Sequence, residues 1–318
     1  MYSFRQRREI NLNRTAMFQS HKQILDAAAR MGRKRFVVAG AENATVLEAM
    51  TAASELGIVQ PILVGVPEQI HAIAEAEKIP IDERTIVPSL GARETARKTV
   101  ALMHKDEAEV LMKGTVDTPT LLKAVLNKQY NLRTGRLLSH VAIMEVPSYP
   151  KLLCVSDGAM IIKPTFDQKI QIVHNAVLVM KHLGIDRPKV ALMAAIEKIN
   201  PDMPETLDAQ KIVLMARGGY FPDAIVEGPM AIDLAFSREA ARIKAFDSLV
   251  SGEPDILIMP DIASGNIFAK GLVYLAGAAM SGLIVGARRP IVLISRSDSA
   301  IARLNSIALA HVVSDIWN

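Results

Sequence analysis

Two periods of apolar residues alternate along nearly the whole chain. Runs dense in branched aliphatic residues at 35–40, 61–65, 85–88, 110–113 and 138–146 fit buried strands. Between them, 45–56, 68–78, 93–104 and 119–127 place apolar residues three and four apart, the spacing of a helix with one buried stripe. The second half repeats the habit. Strands are predicted at 152–155, 189–193, 224–226, 255–259, 282–285 and 290–294, and helices at 166–183, 204–216, 238–249, 267–280 and beyond 294. Such an order builds right-handed crossovers, so the predicted class is α/β, two doubly wound domains facing a cleft.

The weakest joint is Pro147-Ser148-Tyr149-Pro150, where two prolines disfavour helix and interrupt a sheet ladder. A boundary there assigns 1–148 to a first domain and 149–294 to a second. Residues 295–318 are too few to stand alone and are expected to pack back on the first. Open α/β sheets bind ligands beyond the carboxyl ends of their strands, so chemistry should sit in the loops that follow them.

Composition narrows the function. The chain has 318 residues, half of them hydrophobic, enough for a substantial core. Its net charge of +4 is carried mostly by Arg5, Arg7, Arg8 and Arg14, set against Glu9; the rest of the chain balances at +1. No basic stripe with interleaved aromatics follows, which argues against a nucleic-acid partner. Residues 1–16 read as a disordered tail or as a start placed upstream of Met17. The chain opens without an apolar signal core, and no apolar run approaches the roughly 18 residues of a membrane span. One cysteine and fifteen methionines suit a reducing compartment, so a cytoplasmic protein with no membrane partner is expected.

Three loops after strands favour anions. At 290–300 an apolar strand runs into Ser295, Arg296, Ser297, Asp298 and Ser299, which offer hydroxyls, a guanidinium fork and a capped helix start. At 259–270 a strand and tight turn lead to Asn266 and Lys270, four apart on one helix face. At 113–118, Lys113, Thr115 and Thr118 precede Pro119 at a helix start. Ordinary caps and solvated side chains account for each loop taken singly. Ser139 and His140 lie in an apolar strand with no carboxylate near in sequence to orient the ring. Cys154 reads as strand core. Glu227 and Asp233 follow a strand, and a turn explains them nearly as well. A GxGxxG loop, a P-loop and paired histidine or cysteine ligands are all missing, so the fingerprints of nicotinamide, ATP and metal sites are absent.

Taken in order, several segments resemble the phosphate acetyl/butyryltransferase family over about 23–313. They are Lys-Gly-Thr-Val-Asp-Thr at 113–118, Leu-Ser-His-Val-Ala-Ile-Met-Glu at 138–145, Asp-Gly-Ala-Met at 157–160 and Pro-Lys-Val-Ala-Leu from Pro188. Further on come Glu-Gly-Pro-Met-Ala-Ile-Asp-Leu-Ala from Glu227, Gly-Asn-Ile-Phe-Ala-Lys from Gly265, and Ser-Arg-Ser-Asp-Ser-Ala from Ser295. The resemblance implies a fold like that of the isocitrate and isopropylmalate dehydrogenases, a homo-oligomer, and exchange of coenzyme A for phosphate on a short acyl group. Acyl-CoA and inorganic phosphate would be the partners, with coenzyme A as substrate or product and no permanently bound cofactor or metal.

Ser295 and Arg296 match the family's Ser-Arg pair, and Asn266 and Lys270 its GN-x-x-x-K element. Lys113, Thr115, Thr118, Ser139, His140, Ser297 and Ser299 are expected around the substrates. The acetyl enzymes carry an acidic base six positions after the arginine, but here that position is Ala302, which leaves Asp298 as the candidate base. The Ser-Asp-Ser-Ala wording resembles the butyryl branch and favours a butyryl-sized or branched acyl group. Three alternatives stand beside it: a phosphate acetyltransferase, a NAD- and metal-dependent dehydrogenase of the related fold, and a non-catalytic CoA or acyl-phosphate binder.

Overall fold

The computed structural model describes residues 17–293 and 298–316. Its first element is one the periodicity missed, helix α1 (His21–Arg30), capped by the Ser20 hydroxyl and burying His21, Ile24 and Ala28. Alternation then follows the predicted order through β1 (Lys34–Ala39), α2 (Ala44–Glu55), β2 (Val59–Gly65), α3 (Pro67–Ala76), β3 (Ile86–Pro88), α4 (Gly91–His104), β4 (Val110–Lys113), α5 (Thr118–Val125) and β5 (Ser139–Glu145). Local chemistry sets the helix starts. Asn43 and Asp117 accept from the backbone N–H groups three residues on, and prolines occupy the first turns of α3 and α5.

The second half runs β6 (Leu153–Ser156), α6 (Phe166–His182), β7 (Lys189–Met193), α7 (Pro204–Arg217), β8 (Ile225–Met230), α8 (Ile232–Phe236), α9 (Arg238–Ile243), β9 (Ile256–Ile258) and α10 (Ile262–Ala276). It closes with β10 (Ala279–Val285), β11 (Ile291–Val292) and α11 (Ala300–Val312). Helix α10 begins more than a turn earlier than predicted because Asp261 accepts from the Ser264 N–H and caps it. Gly265 and Asn266 therefore lie inside the helix and not in a tight turn before it. Where one helix was predicted at 238–249, α9 is short.

Among the described residues eleven strands join one sheet in the order β3-β2-β1-β4-β11-β10-β5-β6-β9-β7-β8. Strands β3 to β11 in that order are mutually parallel, as are β6 to β8. Between these sets β10 runs antiparallel to both β11 and β5, and β5 antiparallel to β6. The two parallel sets consequently point in opposite directions. Their strands are short, so the register still brings Lys113 at the end of β4 into one row with Gly282, Ala142 and Val155.

The two faces of this sheet are packed differently. One carries a single core through both halves, from Phe36 and Val38 through Val141, Ile143 and Cys154 to Val190 and Ile256, covered by α1, α2, α6, α7 and α11. The other face is split. Val37, Ala39, Leu111, Ile284 and Ile291 cluster with α4 and α5, while Ala142, Met144, Leu153, Val155 and Leu257 cluster with α8, α9 and α10. Helix α11 packs on α1, α2 and β10. His21 adds a polar tie, hydrogen-bonding with the Ser281 hydroxyl at 2.8 Å while its backbone N–H donates to Glu145 at 2.7 Å.

Candidate active site

Where the split face parts, the structure opens a cavity of about 480 Å³. His140, Ala142 and Val155 form its floor on the sheet, and Asn266, Ala269, Lys270, Val273 and Tyr274 of α10 form one wall. Leu293 and the start of α11, with Asp298, Ser299, Ile301 and Ala302, form another. Lys113 and Thr118 reach in from the first half. Two features favour an anion there: the ammonium groups of Lys113 and Lys270, and the positive end of the α11 dipole. Ser299 caps that helix by accepting from the Ala302 N–H at 3.1 Å, so the capping reading of this serine is correct and its residue also lines the cavity.

The loop after β6 is fixed by Asp157. Its buried carboxylate accepts from the backbone N–H groups of His140 at 3.0 Å and of Ala159 and Met160 at 2.8 Å. That holds Gly158 against α10, where Asn266 donates its side-chain amide to the Gly158 carbonyl at 3.1 Å. Gly265 makes the approach possible: a Cβ there would lie 2.6 Å from the Asp157 carbonyl oxygen and 2.9 Å from Gly158 Cα.

His140 leans over β10. A Cβ on Gly282 would meet its Nε2 at 2.8 Å, so the missing side chain at 282 is what gives the imidazole its place. Burial pushes this histidine below its usual pKa and outweighs the carboxylates of Asp157 and Asp298, which pull it up. A neutral ring stands on the cavity floor, within the field of Asp298.

Seven of the residues singled out from the sequence meet around this cavity: Lys113, Thr118, His140, Asn266, Lys270, Asp298 and Ser299. Ser295, Arg296 and Ser297 lie outside the described residues. Two others fall elsewhere. Thr115 turns from the cavity and donates to the Glu42 carboxylate at 3.0 Å. Ser139, one residue before His140, faces the opposite side of the sheet, where the Asn175 amide donates to it at 2.8 Å. Cys154 is fully buried, and burial raises its thiol pKa, in keeping with strand core. Sequence reasoning missed the apolar lining of Ala142, Val155, Ala269, Val273 and Met280, which periodicity counts as ordinary core. It also missed the organising role of Asp157, although the Asp-Gly-Ala-Met stretch that contains it was legible.

Among the described residues no helix is long and apolar enough to cross a membrane. The family model described as Phosphate acetyl/butaryl transferase matches residues 89–311. A phosphate butyryltransferase of Clostridium acetobutylicum is 40% identical over 298 residues, 94% of this chain and 99% of that protein. A phosphate acetyltransferase of Thermotoga maritima is 39% identical over 284 residues, 89% and 96% respectively. Among solved structures, a branched-chain phosphotransacylase from Enterococcus faecalis V583 superposes with a TM-score of 0.77 at 33% identity, covering 88% of this chain and 99% of that one. A match of this extent in sequence and in fold settles the family: the chain belongs to the phosphate acetyl/butyryltransferases and is an acyltransferase.

Proposed function

We propose that the protein exchanges the coenzyme A of a butyryl-sized or branched acyl-CoA for inorganic phosphate. One observation carries the reading: a single cavity joins two ammonium groups and a helix N-terminus to a lining of aliphatic side chains. The first set suits phosphate and the second a short hydrocarbon group. Relatives called phosphate butyryltransferase and branched-chain phosphotransacylase support the choice of acyl group. The relative called phosphate acetyltransferase keeps the acetyl reading as the second one to test.

In this mechanism an oxygen of hydrogen phosphate attacks the thioester carbonyl carbon. A C–O bond forms, the C–S bond breaks, and the proton of the phosphate ends on the departing sulfur, giving acyl phosphate and free coenzyme A. The work is mainly positioning and charge stabilisation. Lys113, Lys270 and Arg296 balance the phosphate, Asn266 orients phosphate or carbonyl oxygen, and Ser295 with backbone N–H groups supports the oxyanion. Asp298 carries the proton. Ala302 stands in the cavity wall where the acetyl enzymes have their acid, so that carboxylate has no counterpart at its own position. On the same resemblance we take the protein to be a cytoplasmic homo-oligomer, a dimer or larger.

The test is phosphate-dependent thiol release from acetyl-, propionyl-, butyryl- and isobutyryl-CoA. Butyryl or isobutyryl should give the highest kcat/KM, and Arg296→Ala should remove most turnover while the fold persists. Thiol release that ignores phosphate for every acyl-CoA would overturn the reading. A NAD-dependent oxidation of a hydroxy-acid phosphate would replace it with the dehydrogenase alternative.

A further inference from the structure

The cavity has a direction. Along α10 its wall passes from Asn266 through Lys270 to Val273 and Tyr274, and Asn266 to Val273 spans about 10 Å at the helical rise of roughly 1.5 Å per residue. The sheet repeats the gradient. His140 pairs with Ile284 and Met144 with Met280, rows about 13 Å apart at roughly 3.3 Å per residue. The polar groups His140, Asn266 and Gly158 gather at one end, Lys113 ends β4 in the middle row with Gly282 and Ala142, and Val273, Ala278 and Met280 close the other end.

We infer that this apolar end holds the acyl chain and that Ala142, Ala269 and Met280 set the length and branching it accepts. The inference rests on the acyl transfer proposed above. The competing occupant of an apolar channel would be the pantetheine arm of coenzyme A, whose two amides must keep hydrogen-bond partners when they leave water. Among the described residues Val273, Ala278 and Met280 bring no side-chain polar atom and Tyr274 brings one, with Asn305 on the α11 wall the further neutral donor and acceptor, so this end matches hydrocarbon better than an arm with two amides.

Room for more than a methyl group comes from two alanines, both buried: Ala142 in the sheet floor and Ala269 in the helix wall. Met280 adds an unbranched, adaptable plug from the opposite strand. Each additional buried methylene should raise kcat/KM several-fold until Met280 is reached. The thioester carbonyl then lies toward Asn266 and Lys270, where the phosphate can meet it.

The experiment compares kcat/KM for acetyl-, butyryl-, isobutyryl- and hexanoyl-CoA in wild type, Ala269→Leu and Met280→Ala, with thermal melts as fold controls. Ala269→Leu should lower the butyryl-to-acetyl ratio at least tenfold, and Met280→Ala should raise the hexanoyl-to-butyryl ratio about tenfold. If Ala269→Leu does not fold, the enlarged Met280→Ala pocket decides alone. Unchanged acyl ratios overturn the inference, as does a rise in KM for free coenzyme A in the reverse direction without any change in acyl preference. Those results leave the reaction itself intact. A wild-type protein inert toward all four acyl-CoAs would instead sink the reaction and the pocket with it.

Discussion

The side-chain amide of Asn266 donates to the carbonyl oxygen of Gly158 at 3.1 Å, tying the second turn of α10 to the loop that follows β6. Neighbouring Gly265 lets the two backbones come that close. Gly265→Ala puts a methyl group against two backbone atoms that have no rotamer to yield. We expect a loss of about 1–3 kcal/mol in stability and a fall in kcat/KM on the order of a hundredfold as α10 is displaced. Thermal melts and the thiol-release assay check both; native values in each would show that the loop and helix can part without consequence.

Lys270 stands on the same helix face as Asn266 and lines the cavity. Lys270→Gln keeps the helix propensity and most of the side-chain length but removes the charge. The KM for phosphate should rise roughly ten- to a hundredfold, as loss of one charged contact to an anion implies. The KM for acyl-CoA should move far less. Steady-state kinetics with each substrate varied in turn distinguishes the two, and an unaltered phosphate KM would remove Lys270 from the anion site.

Asp298 is the carboxylate that remains near the position Ala302 leaves empty of charge. Asp298→Asn should lower kcat on the order of a hundredfold or more. A second readout follows from the field it exerts. Asp298 pulls the His140 pKa up, so its removal should lower that pKa further, visible in a histidine NMR titration. A kcat that survives the substitution would pass the proton to another group.

Acid should destabilise the fold through buried histidines. His311 donates from Nε2 to the Gly32 carbonyl at 2.7 Å, and burial holds its pKa at about 4, below the ordinary 6.5. Because this folded-state value is depressed, the unfolded chain binds the extra proton first. The stability is therefore present in full above about pH 6.5 and is lost as pH falls toward 4. The shift corresponds to on the order of 3 kcal/mol. His21 and His140 are lowered in the same direction, again chiefly by burial. His311→Gln should flatten the decline of Tm between pH 6.5 and 4, and an equally steep decline in that variant would show that His311 does not contribute to it.

Much of this arrangement was legible because each piece is local. The period of apolar residues gave most strands and helices, and the pairing of strand ends with Lys113, Asn266, Lys270 and Asp298 gave four groups that meet in one cavity. What escaped depends on contacts remote in sequence. Ser139 and His140 differ by one position, and only the assembled sheet says which of them faces the cavity. Thr115 is drawn off by Glu42, 73 residues earlier. The start of α10 was misplaced because Gly265 looked like a turn residue; its lack of a side chain instead serves a backbone contact with Asp157 and Gly158. Helix α1 carries mostly alanine, polar and charged positions, and it is stabilised by α11 from the other end of the chain.

The seamless packing on one side of the sheet constrains how substrates enter. A hinge between independent bodies needs a seam through the whole thickness of the molecule, and here the seam stops at the strands. Widening the mouth must then flex the ribbon formed by β5 and β10, whose ladder pairs seven residues of each strand from Ala279 with Glu145 to Val285 with Ser139. Coenzyme A should meet a stiff backing plate, with admission and release governed by the helices and loops that rim the opposite side.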